Sequence, residues 1–175
     1  MVYQKSAAEP PPASPVHRGK GSEADPYDWL LPPDFQPAKL FSTAGAQEII
    51  NAPDSVTIHR AQESKGGIML MGHSFSAIGV PAAGEDIQIL RDVISSPTAY
   101  TAPSMCVFAP GVLYRMTKGD RRFDLLICFS CEDLGWIVDE TPSKSGTIGL
   151  SDIGLGSFRV LSSHAFPSDP AFKQP

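Results

Sequence analysis

The sequence predicts one small α+β domain, an antiparallel sheet with two or three short helices. Apolar residues alternate with polar ones, or form short apolar runs, over residues 55–63, 68–80 and 104–140, and both patterns are typical of β-strands. An amphipathic stripe over residues 85–96 indicates a helix between the second and third of these segments. The order helix, hairpin, helix, antiparallel meander, helix is typical of an α+β fold, and 175 residues suffice for one buried core.

The first 37 residues predict a disordered or extended tether. They hold eight of the 17 prolines and are rich in Ala, Ser, Gly and charged residues. Such a segment buries too little apolar surface to offset the chain entropy that folding removes. We therefore expect a tether at residues 1–37, a folded domain at 38–170 and a tail at 171–175. The apolar side chains expected to dock where the tether meets the domain are Trp29, Leu30, Leu31 and Phe35.

The first elements of the domain are predicted as a short helix and a pair of strands. The helix covers residues 42–54 and is stopped by Pro53. The segment 55–63 alternates in polarity and predicts a strand. The segment 68–80 is expected to run antiparallel to it, with a bend at Gly72.

The clearest helix is predicted at residues 85–96. Ile87, Leu90 and Ile94 recur at helical spacing, and Val93 widens the apolar stripe. Two acidic residues stand in the first turn, where the helix dipole stabilises negative charge, and a proline follows the last residue.

A meander of short strands is predicted next. The strands cover residues 104–108, 112–118, 122–132 and 134–140. A hairpin turn at residues 118–121 joins the second strand to the third. Residues 125–130 are apolar on both faces, which is typical of a central strand covered on two sides.

The C-terminal part is predicted as a loop followed by one helix. The loop covers residues 141–157 and the helix covers residues 157–166. Phe158, Leu161 and Ala165 share one helical face, so we expect them to face the core.

The stretch GHSFS, residues 72–76, resembles the nucleophile elbow of an α/β-hydrolase. Such elbows need small residues because their serine sits on a strained turn between strand and helix, and partners can be written in the order Ser74, Asp152, His164. Few foldable residues precede Ser74, however, and Pro81 interrupts the helix that should follow. We therefore expect an ordinary strand with a glycine bend and no catalytic residue, and a small serine hydrolase is the least favoured alternative.

The three cysteines, Cys106, Cys128 and Cys131, leave three interpretations open. The last two have the CxxC spacing of zinc and redox sites. The fourth ligand of a zinc or copper site would be His59, His73 or His164. Residues i and i+3 of a straight strand point to opposite faces, so a structural disulfide would join Cys106 to Cys128 or to Cys131. The third interpretation is that the thiols are simply buried apolar side chains. We expect no resident metal or cofactor.

The block CVFAPGVLYRMTKGDRRFDLLICFSC, residues 106–131, resembles a pattern in uncharacterised bacterial proteins, many of which look like lipoproteins. Their pattern runs Cys-Phe-x-Pro-Arg-His, then a turn, then Asp-Leu-x-x-Cys-Phe-x-Cys. The matching residues are Cys106, Pro110, Asp124, Leu125, Cys128, Phe129 and Cys131. Gly111 and Val112 stand in place of the Arg-His pair, so any role of that histidine is lost here. The resemblance implies a lone α+β domain of the cell envelope and supplies no activity.

Charge and hydropathy exclude two classes of function. The net charge is −5, and no cluster of Lys and Arg exceeds two neighbours, so the basic surface of a nucleic-acid-binding protein is missing. No apolar run approaches the length of about 18 residues that a transmembrane helix needs.

The N-terminus lacks the apolar stretch of a secretory signal peptide. A Pro/Ala/Ser-rich tether commonly follows a removed signal or a lipid-anchored cysteine. We therefore expect a protein of the periplasm or cell envelope, with a lipid anchor in the native precursor as one route. A cytoplasmic protein with a flexible N-terminus is the alternative.

These observations favour a non-enzymatic binding protein of the bacterial cell envelope. It would hold a protein partner, as an immunity or inhibitor protein holds a toxin, because an acidic domain with surface loops suits a basic partner. The alternative from another class is a thiolate-based zinc or copper protein that uses the three cysteines.

Overall fold

A seven-stranded sheet with four α-helices on one side organises the chain in the computed structural model, which describes residues 31–43, 45–63 and 66–172. The strands are β1 (Ser55–Arg60), β2 (Ile68–Leu70), β3 (His73–Phe75), β4 (Val80–Pro81), β5 (Tyr100–Thr101), β6 (Val112–Lys118), β7 (Arg121–Cys128), β8 (Asp133–Val138) and β9 (Ser145–Leu150). The helices are α1 (Pro37–Thr43), α2 (Gln47–Asn51), α3 (Gly84–Ser95) and α4 (Asp152–Ala165), with short 3-10 helices at Pro97–Ala99, Pro142–Lys144 and Pro170–Phe172. The predicted α+β class is confirmed.

The strands of the large sheet run in the order β4-β1-β6-β7-β8-β9-β5, and each neighbouring pair is antiparallel. Strands β2 and β3 form a separate two-stranded hairpin. The predicted turn at residues 118–121 sets the register of β6 and β7, so that Arg115 lies opposite Asp124. Strand β7 is the fourth of the seven strands in this order and is therefore the central strand.

Strand β7 is buried on both of its faces, as the apolar run predicted. On one side Phe123, Leu125 and Ile127 pack in the main core with the helices, and we call this side the helix face. On the other side Leu126 packs in a smaller apolar cluster with the β2–β3 hairpin, and we call this side the hairpin face. The smaller cluster also contains Leu70, Phe75, Leu113 and Ile137.

The two ends of the described chain pack onto this domain. Residues 1–30 of the predicted tether, with Trp29 and Leu30, lie outside the described residues. Leu31 and Phe35 pack against the core, and the Phe35 ring meets Tyr100 edge to face with centroids 5.7 Å apart. At the other end Phe172, which falls within the tail predicted at residues 171–175, is buried with its ring 5.3 Å from Phe129.

The segment 68–80 is not the single bent strand that we expected beside β1. It folds back on itself as the β2–β3 hairpin, because Met71 and Gly72 both take positive φ angles, 49° and 82°, and close a two-residue turn. Two parts of it still run antiparallel to the β1 segment, as expected. Strand β4 pairs with Thr57 and Ile58, and the end of β3 is joined to the end of β1 by a bridge between Phe75 and Ala61 and by the Ser76 N–H, which donates to the Arg60 carbonyl at 2.8 Å.

Three other predicted elements are corrected. The helix expected at 42–54 is two short helices, α1 and α2, broken before Ala46. Residues 104–108, expected as a strand, form a loop that is held by side chains rather than by a ladder. The loop expected at 141–157 contains β9 and the first turn of α4, whose N-cap is the Ser151 hydroxyl.

Strand β9 contains two glycines, Gly146 and Gly149, and they explain why the sequence did not predict a strand here. A Cβ at Gly146 would lie 2.7 Å from the Trp136 ring on the neighbouring strand, so the ring lies where a side chain would otherwise stand. Glycine lowers the intrinsic strand preference of a segment, although close packing here demands it.

We expect truncation of β7 to be costly on either face. Leu126→Ala and Ile127→Ala each remove a fully buried side chain, one from each apolar cluster, and should lower the free energy of unfolding by about 2–5 kcal/mol. Urea denaturation measures the loss. Thr147→Ala at an exposed position is the control and should change stability by less than about 0.5 kcal/mol. A tolerant Leu126 site would show that the hairpin does not cover the sheet.

Candidate functional site

The residues of the nucleophile-elbow hypothesis are not brought together. Ser74 lies in the middle of β3, opposite Met69, on the hairpin face of the sheet. His164 lies on α4, where its Nδ1 is 2.8 Å from Oδ1 of Asp86 on α3, and Asp152 is the first residue of α4. Because α3 and α4 cover the helix face, the sheet separates His164 from Ser74.

The three cysteines meet at one end of the hairpin face. Cys106 and Cys131 form a disulfide, with their Cα atoms 5.6 Å apart. Cys128 is a free, buried thiol, and its Sγ accepts a hydrogen bond from the Ala109 backbone N–H at 3.4 Å. The disulfide occupies two of the three thiolates that the zinc or copper alternative requires, and the described residues contain no group of three metal-ligating side chains.

The loop at residues 104–109 is held at three points besides the hydrogen bond from Ala109 to Cys128. The buried Asp133 carboxylate accepts hydrogen bonds from the Ser104 backbone N–H at 2.9 Å and from its hydroxyl at 2.8 Å. The disulfide holds Cys106, and the Phe108 ring packs on the smaller apolar cluster. The loop is therefore fixed in place, although it contains no strand.

This loop and the β2–β3 hairpin present exposed apolar side chains next to each other. Hairpin alternation turns Leu70 inward and leaves Met69 59% exposed, and Met71 in the turn is 40% exposed. Met105 and Val107 of the loop are almost fully exposed. The two segments touch where the His73 ring meets the Phe108 ring edge to face at 5.9 Å. We call Met69, Met71, Met105 and Val107 the methionine surface.

A pocket of about 550 Å³ lies beside the hairpin. Its apolar lining comes from Met69, Met71, Ile137 and Pro142. Glu140, which is half exposed, lines its edge. The pocket thus combines flexible methionines with one carboxylate, an arrangement suited to an apolar side chain that has a basic neighbour.

A buried ion-pair network supports this edge. The Arg115 guanidinium donates from Nε and Nη2 to the two carboxylate oxygens of fully buried Asp124, at 2.7 and 2.9 Å. Arg122 joins the network through its Nη2, which is 2.6 Å from Glu140 Oε1. The predicted turn at residues 118–121 already pairs positions 115 and 124, so the sequence contained the signal for this network.

Both ring nitrogens of His59 are hydrogen-bonded within the protein, so this histidine has a structural role. Its Nδ1–H donates to the Ser76 carbonyl at 2.9 Å, and its Nε2 accepts from the Thr57 hydroxyl at 2.9 Å. Gly79 leaves room for the ring, because a Cβ there would lie 2.6 Å from it. Burial lowers the pKa of His59 below its ordinary value of 6.5, against the opposing effect of the Ser76 carbonyl.

Comparison with known proteins gave no match to a protein family, a curated protein or a solved structure. Among the helices of the described residues, none has the length and apolar character needed to cross a membrane.

We expect protein made under oxidising conditions to contain the Cys106–Cys131 link and one free thiol. Peptide mapping should recover this link, and alkylation should modify Cys128 only after unfolding, because its side chain is buried. Cys106→Ser should lower the free energy of unfolding by roughly 3 kcal/mol, since the bond closes a loop over 25 residues. A peptide that links Cys128 to Cys131 would contradict this arrangement.

We expect the fold to lose stability as the pH falls below about 6.5 through His59. In the unfolded chain this imidazole is protonated near its ordinary pKa of 6.5, whereas in the folded protein it is protonated only at a lower pH. Between these two pKa values the unfolded state binds more protons, so a falling pH favours unfolding. NMR titration should place the pKa of His59 below 6.5. His59→Asn should remove this part of the pH dependence, and an unchanged stability profile would contradict the assignment.

Proposed function

We propose that this protein is a non-enzymatic binding protein of the bacterial cell envelope that holds a protein partner, as an immunity or inhibitor protein does. The observation that carries the proposal is the methionine surface. Three of the five methionines in the chain, Met69, Met71 and Met105, point outward from segments whose inner sides are anchored in the fold.

Exposed apolar groups of this kind are costly to leave in water and commonly mark interaction sites. Methionine suits such a surface because its unbranched thioether chain adapts to the partner's shape. The backbone beneath is held by the disulfide and by the smaller apolar cluster, so little backbone entropy is lost on binding.

Charge favours a basic partner. The net charge of −5 attracts a cationic protein at long range, and Glu140 stands at the edge of the pocket beside Met69. The Glu140 carboxylate is held by Arg122, so a basic group of the partner would meet an oriented acceptor there.

Two observations support the envelope as the location. A disulfide persists in oxidising compartments such as the bacterial periplasm, and Cys106–Cys131 is of this kind. The block at residues 106–131 also resembles the pattern of lipoprotein-like bacterial proteins described above.

The test is direct binding to a partner purified on its own. Proteins of the envelope fraction of the source organism are captured on the domain and identified, and each candidate is then produced separately and titrated by calorimetry. We expect a basic protein to bind, with an affinity that falls as salt rises. Met69→Gln with Met71→Gln should weaken this binding by about tenfold or more.

Ile89→Gln with Ile153→Gln is the matched control, because these exposed side chains lie on α3 and α4 of the helix face. This control should bind the partner like the wild type. Equal binding by the methionine variant, or the absence of any purified partner that binds, would contradict the proposal.

A further inference from the structure

A second pocket, of about 370 Å³, opens on the helix face of the sheet, away from the methionine surface. It lies between the start of α1, strand β8 and the 3-10 helix Pro142–Lys144. Its volume falls within the range of small-molecule sites. The proposed protein-binding role makes no use of it.

The floor of this pocket is apolar and preformed. Phe35, Leu40 and Trp136 form it. The Trp136 ring is fixed edge to face by Phe41, with centroids 5.9 Å apart and planes 87° apart, and it lies over Gly146 of β9. A flat or flexible apolar group can therefore contact the pocket without first ordering its walls.

The rim of the pocket carries charged and hydrogen-bonding side chains. Lys39 of α1 and the exposed Lys144 line it, together with Ser143, and Asp34 is the one acid among the lining residues. Asp139, just before the same 3-10 helix, has its carboxylate engaged by the Arg121 side chain at 3.2 Å and by the Arg122 backbone N–H at 2.8 Å. On the side of the 3-10 helix Pro142–Lys144, the exposed Lys144 ammonium and the Ser143 hydroxyl can both donate to an anion. Asp139 takes its hydrogen bonds from Arg121 and Arg122, and Lys144 acts on it through charge alone.

We infer that this pocket binds a small organic carboxylate with an apolar body. The body would lie on the Trp136 and Phe35 rings, and the carboxylate would accept hydrogen bonds from the Lys144 ammonium and the Ser143 hydroxyl at the rim. A charged head on an apolar body matches both parts of the pocket, whereas a free phosphate would leave the aromatic floor in contact with water.

The Trp136 indole N–H reports occupancy directly. The chain has two tryptophans, so the variant Trp29→Phe retains one indole resonance in a proton–nitrogen NMR spectrum. This variant is titrated with 2-naphthoate, with decanoate, with the neutral 2-naphthalenemethanol and with the cationic 2-naphthylmethylamine. We expect a saturable shift of the Trp136 resonance with at least one carboxylate. The neutral compound should bind about tenfold more weakly than the stronger carboxylate, and the amine should not bind. The carboxylate that binds more tightly shows whether the pocket prefers an aromatic or an alkyl body.

Lys144→Gln in the same background removes the Lys144 charge and keeps a side chain of similar length, and it should weaken carboxylate binding by about tenfold. Arg91→Gln is the matched control, because it changes the net charge equally at a position on α3 that does not line the pocket, and it should bind like the parent. The inference is overturned if neither carboxylate shifts Trp136 saturably, if the neutral compound binds as well as the stronger carboxylate, or if Lys144→Gln does not weaken the binding of that carboxylate.

Discussion

Strand β7 supplies side chains to two apolar clusters at once, and this double burial requires a cover on each side of the sheet. Four helices meet the requirement on the helix face, with aromatic rings such as Phe41 and Phe158 filling the main core. Among the described residues, the hairpin face is covered by a hairpin of two three-residue strands and by the loop at residues 104–109. A two-stranded hairpin is marginal by itself, so its position depends on Leu70 and Phe75 beneath it.

The small size of this second cover explains why the side chains of the methionine surface are exposed. In a hairpin whose inner residues are used for packing, the alternate residues must face water, and this is the position of Met69. The helices of the other face, by contrast, enclose most of its apolar groups, and an open pocket remains beside Trp136 of β8. Trp136 and Ile137, adjacent on β8, therefore contribute to separate pockets on opposite faces.

The sequence alone predicted those features that depend on the local spacing of residues within one element or one turn. The stripe of α3, the turn between β6 and β7, and the two-sided burial of Leu126 and Ile127 follow from local spacing. Strand β9 could not be predicted, because Gly146 is required by a ring on another strand. The choice between Cys128 and Cys131 as partner of Cys106 depended on the turn after β7, where Glu132 takes a positive φ of 58°. The methionine surface and the Trp136 pocket depend on tertiary contacts and leave no local signal.

The order of strands in the sheet has a consequence for how the chain folds. Strands β6 to β9 are consecutive and close through short turns, whereas β1 pairs with β6 across a separation of 62 residues between Ser55 and Thr117. Closing a long loop costs more entropy than closing a short turn, so the meander is expected to form before β1 docks. Until then the edge of β6 has unpaired backbone groups and can pair with another chain. The rate at which β1 reaches this edge, rather than the stability of the finished fold, would then set how readily newly made protein aggregates.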